Sequence, residues 1–269
     1  MRYLSSEILM QRMLIKKVAE NVASLIENGS TMQLGIGGMP NIIGQLLMEH
    51  GKKDLGIHTE MFTDSMADLI EEGVITGRKT SLNPGKAVHC FAAGSRRMYD
   101  FMDHNTSLAG FPVDYTNDPY IISQNEKQVA INSAIAVDLT GQVCSETVGY
   151  RHISGTGGQL DFTLGAYMSK GGKAFTCLHS TYKTKDGEVE SRIVPQLERG
   201  DVVTVPRSVT SYVATEYGVV NLKGKTSWER AKLLISIAHP DFRDELEREA
   251  EEKNIIPKAL RGRKKRSFE

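Results

Sequence analysis

Charge of one sign is not in excess in this sequence: 33 Lys and Arg stand against 33 Asp and Glu in 269 residues, a formal net charge of zero. Such a chain carries no global electrostatic footprint for nucleic acid or an anionic membrane. Cysteine is scarce as well. Cys90, Cys144 and Cys177 are odd in number and far apart, and they match neither a metal-ligand spacing nor a disulfide framework, which fits a reducing cytosol. No run of about 18 apolar residues occurs, so no transmembrane helix is expected. The N-terminus lacks the apolar core of a signal peptide. The expectation is a soluble, cytoplasmic protein without nucleic-acid or membrane partners.

Several catalytic signatures are also missing. Without a histidine pair, HExxH or CxxC, no metal site is expected. No G-x-S-x-G elbow and no Walker A sequence occur, which argues against a serine α/β-hydrolase and a P-loop NTPase. Gly35-Ile-Gly37 falls short of the dinucleotide fingerprint, because Pro40 stands where its third glycine belongs. His58 and His89 lie within strand-like stretches and read as packing histidines.

What the sequence does hold is alternation of strand-like and helix-like segments, in an ordinary globular composition of 40% hydrophobic and 25% charged residues. Helical spacing runs through residues 5–27, 42–51, 95–103, 228–238 and 240–252, and follows Asp64-Ser65, which offers an N-cap. Strand-like runs cover residues 31–36, 55–62, 87–93, 128–139 with a hairpin partner at 142–147, 174–178, 192–197, 202–205 and 212–215. Residues 104–119 are rich in turn formers and read as a loop. The pattern predicts an α/β fold: an open, largely parallel sheet with helices on both faces. One domain over residues 1–252 and a basic tail over 253–269, solvated at Arg261-Gly-Arg-Lys-Lys-Arg266, is the simplest division.

Three stretches carry chemistry. Gly35-Ile-Gly-Gly-Met-Pro40 joins a strand to a helix, a device that brings backbone N–H groups and a helix N-terminus to an anionic group. Gly155-Thr-Gly-Gly-Gln-Leu-Asp-Phe162 is a second glycine cluster, suited to presenting N–H groups to an oxyanion. Between them Glu60 sits near the carboxyl end of a strand, where open α/β sheets display reactive groups. Position alone leaves Glu60 open between a solvated or ion-paired carboxylate and a base or nucleophile.

These runs, together with Leu55-Gly-Ile-His-Thr-Glu-Met61, Asn132-Ser-Ala-Ile-Ala-Val-Asp138, Ser180-Thr-Tyr-Lys183, Thr215-Glu-Tyr-Gly218 and His239-Pro-Asp-Phe-Arg243, resemble family I coenzyme A transferases. The similarity is to the 4-hydroxybutyrate, butyrate and acetate CoA-transferase branch, which includes acetyl-CoA hydrolases, and it covers roughly residues 21–249. It implies a CoA-transferase-like fold and an acyl-CoA:carboxylate CoA-transferase acting on short-chain acids, with CoA or acyl-CoA as substrate and no tightly bound cofactor. Glu60 falls where the family has its nucleophile, which passes through an acyl anhydride and a glutamyl-CoA thioester. Asn117 and Gly158 match oxyanion donors. Gly35, Ile36, Gly37, Gly38 and Met39 match the CoA-binding turn, and Ile135, Gly158 and Lys183 match further CoA contacts, with Lys185 the competitor if the loop aligns two residues out. The resemblance reaches only the second of two similar halves. A separate chain supplying the first half, a gene fragment, a homo-oligomer or a half working alone are the expectations left open. Hydrolysis of acyl-CoA through the same glutamate, and a non-catalytic CoA-binding half that needs a partner chain, are the alternatives in function.

Overall fold

The computed structural model describes residues 6–35 and 38–257. Residues 258–269 of the expected basic tail, and the CoA contacts expected at Ile36 and Gly37, lie outside the described residues; Ile255 and Ile256, at the start of that tail, pack into a core cluster with residues of the two helices that precede it.

Eight strands make the main sheet among the described residues: β1 (Thr31–Leu34), β2 (Gly56–His58), β3 (Ala87–His89), β4 (Leu108–Gly110), β5 (Gln128–Ser133), β6 (Lys173–Cys177), β7 (Tyr212–Thr215) and β8 (Gly218–Asn221). Their spatial order is β8-β7-β6-β5-β1-β2-β3-β4. Only the β7–β8 hairpin is antiparallel; every other neighbouring pair is parallel. The chain walks outward from β1 to β4, returns to β5 on the other side of β1, and then walks the opposite way. Strand order therefore reverses between β1 and β5, and connections leaving in opposite directions open a crevice at the carboxyl ends of these strands.

Helices cover both faces, as the alternation predicts. Along β5, Val129 and Ile131 join the core beneath α1 (Ser6–Ser24), α2 (Gly38–Glu49) and α3 (Asp64–Glu71). The residue between them, Ala130, points the other way and meets Ile122 and Phe162, which lie on α6 (Pro119–Ser123) and α7 (Gln159–Met168). Period-two alternation in a strand buried on both sides requires this division. The helices α8 (Ser227–Ser236) and α9 (Pro240–Glu252) pack with Val213 and Val220 of the hairpin in another cluster. Thr226 and Glu229 close a reciprocal capping box at the start of α8. No helix among the described residues is long and apolar enough to cross a membrane.

Four local expectations are corrected. The run over residues 55–62 is not one strand: it breaks at Thr59-Glu60 between β2 and a two-residue strand, Met61–Phe62. The N-cap of α3 is Thr63; the carboxylate of Asp64 instead accepts from the backbone N–H and hydroxyl of Ser95, the residue capping α4 (Arg96–Met102). Residues 104–119 hold β4 and the single turn α5 (Val113–Thr116) rather than a loop. As an edge strand β4 is only partly buried and shows little apolar signal. Residues 202–205 contribute a single bridge, Val143 to Val205, in place of a strand.

Candidate active site

The break that exposes Glu60 is anchored by backbone hydrogen bonds. Thr59 N–H donates to the Val88 carbonyl at 3.0 Å, while the N–H groups of Cys90 and Phe91 donate to the Glu60 carbonyl at 2.9 and 3.1 Å. The main chain is thus tied to the strand beside it, and the half-buried side chain of Glu60 projects from a fixed base. Two residues earlier, His58 is 1% exposed. Burial pushes its pKa down to about 4, so the ring is neutral near neutral pH. Its Nε2 lies 3.0 Å from the Thr116 carbonyl, an acceptor, so Nε2 carries the ring proton. That bond ties the end of α5 to β2, and the next residue is Asn117.

Gly158, the N-cap of α7, comes from 98 residues further along the chain. Its N–H donates to Glu60 Oε2 at 3.2 Å. A Cβ built on Gly158 would stand 2.5 Å from Glu60 Oε2 and 2.6 Å from Asn117 Nδ2, so all three groups converge on one point. The Asn117 carboxamide oxygen accepts from Thr116 Oγ1 at 3.0 Å. Asp161 lies in the first turn of α7 and is half-buried. Burial raises the Asp161 pKa, the Asn117 amide opposes the shift, and the charges of Glu60 and Asp118 add to it.

Glu60 opens into a pocket of about 530 Å³, lined by Leu34 at the end of β1 and Gly35 just after it, Asn132 and Ser133 at the end of β5, and Gly155, Gly157 and Gly158. This is the crevice where strand order reverses. Gln33 and Asn132 lock the two strand ends by exchanging amide hydrogen bonds, each 3.1 Å. Gly35 is required there, since a Cβ would stand 2.9 Å from Asn132 Oδ1 and 3.1 Å from the Ile131 carbonyl.

The remaining residues expected from sequence lie in different places. Gly38 opens α2. Met39 has its side chain in the core, 8% exposed, so a ligand would meet its backbone. Ile135 borders a second pocket of about 190 Å³ with Tyr182 and Arg192, and its carbonyl accepts from the Arg192 guanidinium at 2.8 Å. Lys183 is exposed at the end of the strand Thr181–Lys183, and Lys185 is exposed just beyond it. Asp161, Asn132 and Phe91 were not singled out by sequence. Asp161 and Asn132 do fall within runs that carry the resemblance, Asp161 as the acidic residue of the second glycine run; Phe91 falls in none.

Neutral His58 makes stability pH-dependent. The unfolded ring takes up a proton below about pH 6.5, whereas the folded one resists until about pH 4. Its contribution is therefore complete above pH 6.5 and is lost as pH falls from 6.5 towards 4, by roughly 3 kcal/mol in all. The expected result is that His58→Gln, which does not titrate, flattens the fall of the urea midpoint over that range by about one proton's worth of slope. Parallel slopes in the two proteins would overturn the assignment.

Comparison with known proteins gives consistent likenesses. The family model described as the acetyl-CoA hydrolase/transferase C-terminal domain matches residues 94–250. A probable butyrate:acetyl-CoA coenzyme A-transferase of Syntrophomonas wolfei is 50% identical over 242 residues, covering 90% of this chain and 54% of that protein. The 4-hydroxybutyrate coenzyme A transferase of Clostridium kluyveri is 50% identical over 231 residues, 86% of this chain and 53% of its own length. The crystal structure of RipA from Yersinia pestis superimposes with a TM-score of 0.84 at 40% identity, covering 95% of this chain and 55% of RipA. The chain spans about half the length of the curated relatives it matches.

Proposed function

The chain belongs to the acetyl-CoA hydrolase/transferase C-terminal domain family, and from that membership we propose that it is the catalytic half of an acyl-CoA:carboxylate CoA-transferase for short-chain acids, with Glu60 as nucleophile. The observation that carries this reading is the meeting of the Glu60 carboxylate with the Gly158 N–H and the Asn117 amide at the sheet's switch point.

The chemistry follows from that meeting. A Glu60 oxygen attacks the acyl-CoA carbonyl, CoA thiolate leaves, and an acyl-glutamyl anhydride remains. The thiolate returns to the Glu60 carbonyl, releasing the first acid and leaving a glutamyl-CoA thioester. The acceptor carboxylate then attacks the thioester and the sequence runs in reverse. Each addition places negative charge on a carbonyl oxygen, and a preorganised N–H donor stabilises such an oxyanion by roughly 3 kcal/mol. Binding along the CoA arm, far from the reacting carbonyl, adds energy that is expressed at the transition state. The glycine turn after β1 and the surfaces at Ile135 and Lys183 are proposed for that arm.

An anhydride survives only where water is excluded. Phe91, which lines the pocket, is 47% exposed, and the relatives are about twice as long as this chain. We therefore assign the covering of the pocket to a partner half, the part of the relatives' length that this sequence does not span. The same exposure favours hydrolysis over transfer when the chain acts uncovered. The three cysteines are free, in keeping with a cytoplasmic location.

Incubation with acyl-CoA, then borohydride and peptide mass spectrometry, tests the reading. The expected result is reduction of a thioester at Glu60. An unmodified Glu60 peptide, both alone and with the partner half, would count against it. Free CoA accumulating without an acceptor acid identifies the hydrolytic outcome.

A further inference from the structure

We propose that Glu146 is a positioning residue for this site: through the Thr156 hydroxyl it holds the strap over residues 153–157 and so sets the direction in which the Gly158 N–H points. The role presupposes Glu60 as nucleophile and adds to that reading a pair of side chains that aim an oxyanion donor.

Helix α7 fixes only part of Gly158. The Gly158 carbonyl accepts from the Phe162 N–H at 3.0 Å, and Phe162 is buried in the core. The Gly158 N–H belongs instead to the peptide plane shared with Gly157, outside the helix. Rotation about φ of Gly158, which stands at −73°, swings that plane while the helix stays in place. Glycine opposes such rotation less than any other residue. A hold upstream is therefore needed to keep the N–H at 3.2 Å from Glu60 Oε2.

Packing does not supply it. Residues 151–157 are all exposed, and a Cβ built on Gly155 or Gly157 would meet nothing within 4 Å. Glu146 does supply it. Its carbonyl accepts from the N–H groups of Ile153 and Ser154 at 2.7 and 3.2 Å, and its Oε2 accepts from Thr156 Oγ1 at 3.2 Å. Among the described residues no other hydrogen bond reaches residues 155–157. The side-chain bond is thus the last tie before the plane that carries the Gly158 N–H, and a charged acceptor strengthens it.

Glu146 can act as an anchor because its own place is fixed. It is 6% exposed. The N–H of the preceding Ser145 donates to Thr204 Oγ1 at 3.0 Å, and its hydroxyl donates to the Ser133 carbonyl at 3.2 Å. Further out, the Gly149 N–H donates to Asp201 Oδ1 at 2.8 Å. The outgoing arm of this hairpin, Thr147–Val148, is fastened in this way to the body of the protein, and the returning arm, Arg151–His152, pairs with it.

Thr156→Val removes the hydroxyl at nearly constant shape and tests the proposal. The expected result is about tenfold to thirtyfold slower formation of the Glu60 thioester, with KM for acyl-CoA within about threefold of wild type. The urea midpoint should not move, because the position is exposed. Thr156→Ser restores the hydroxyl and should recover most of the rate. In a Glu146→Leu background Thr156→Val should cost nothing further, whereas independent losses would multiply. The chain without substrate gives a reading free of turnover: the Gly158 amide proton should move upfield in Thr156→Val and return in Thr156→Ser. Thioester formed at the wild-type rate by Thr156→Val, an unmoved Gly158 resonance, or losses that multiply would each overturn the proposal and leave the Glu60 reading intact. No Glu60 adduct in the wild-type protein with its partner half sinks that reading instead, and removes the catalytic purpose of the tie with it.

Discussion

Replacing Glu60 by Gln should lower CoA transfer by roughly 10⁴-fold or more while leaving CoA affinity within a few-fold of wild type. The Gln side chain has nearly the same volume, and its Oε1 can accept the Gly158 N–H that now rests on Glu60 Oε2 at 3.2 Å. The backbone hydrogen bonds that tie residue 60 to the adjoining strand involve no side-chain atom, so they persist. Folding should change by no more than about 1 kcal/mol, since the position is half-buried and carries no ion pair among the described residues. What disappears is the nucleophile, because an amide oxygen cannot form an anhydride that a thiolate then opens. Glu60→Asp supplies the graded case. It keeps the carboxylate but withdraws it by one methylene, and misplacement of that size costs on the order of 10²-fold. The check is a transfer assay with the partner half present, alongside CoA binding by calorimetry. Transfer retained within tenfold in Glu60→Gln would mean that another group attacks the acyl carbonyl.

The route to Glu60 was readable because strand, glycine turn and helix are local patterns, and a carboxylate at a strand end is a local feature too. The break at Thr59-Glu60 was not readable. Leu55, Ile57, Thr59 and Met61 keep a period of two straight through it, and the interruption comes from hydrogen bonds to Val88, Cys90 and Phe91 in another part of the sheet. The sheet's reversal between β1 and β5 rests on pairings about a hundred residues apart, such as Leu34 with Ile131. Local propensity carries no record of these. Asn117 was reached by resemblance alone. Its neighbours Asp118 and Pro119 are favourable turn and helix-start residues, and Asp118 does cap α6 through the Tyr120 N–H. Asp161 escaped notice for the opposite reason: an acidic residue in the first turn of a helix is common and already explained by the helix dipole. Only the fold brings it to Asn117.

Gly158→Ala should abolish most activity in a protein that still folds, and this separates a catalytic glycine from a structural one. At φ −73° and ψ 4° the Gly158 backbone suits any L-residue, so the added methyl carries no conformational strain. Its cost lies wholly in the site. The new carbon would lie 2.5 Å from Glu60 Oε2 and 2.6 Å from Asn117 Nδ2, far inside van der Waals contact, so the nucleophile and one oxyanion donor must both retreat. Losing a well-placed donor costs about 10²–10³ in rate, and displacing the nucleophile by about 1 Å adds a further loss of similar size. We expect kcat/KM to fall by roughly 10³-fold or more, with an unfolding free energy within about 1 kcal/mol of wild type. Gly165→Ala on the same helix is the counterpart. Its methyl would meet Ile122 Cγ2 at 2.4 Å and the Pro119 carbonyl at 3.2 Å, driving α7 away from α6. Overpacking of this kind costs typically 1–3 kcal/mol of stability, and it acts at a distance from the pocket lining. Urea unfolding and transfer kinetics on both variants decide the matter: one should lose rate and the other stability. If Gly158→Ala instead unfolds early while its residual folded fraction turns over at the wild-type rate, the glycine serves the helix start and the oxyanion donor must be sought elsewhere.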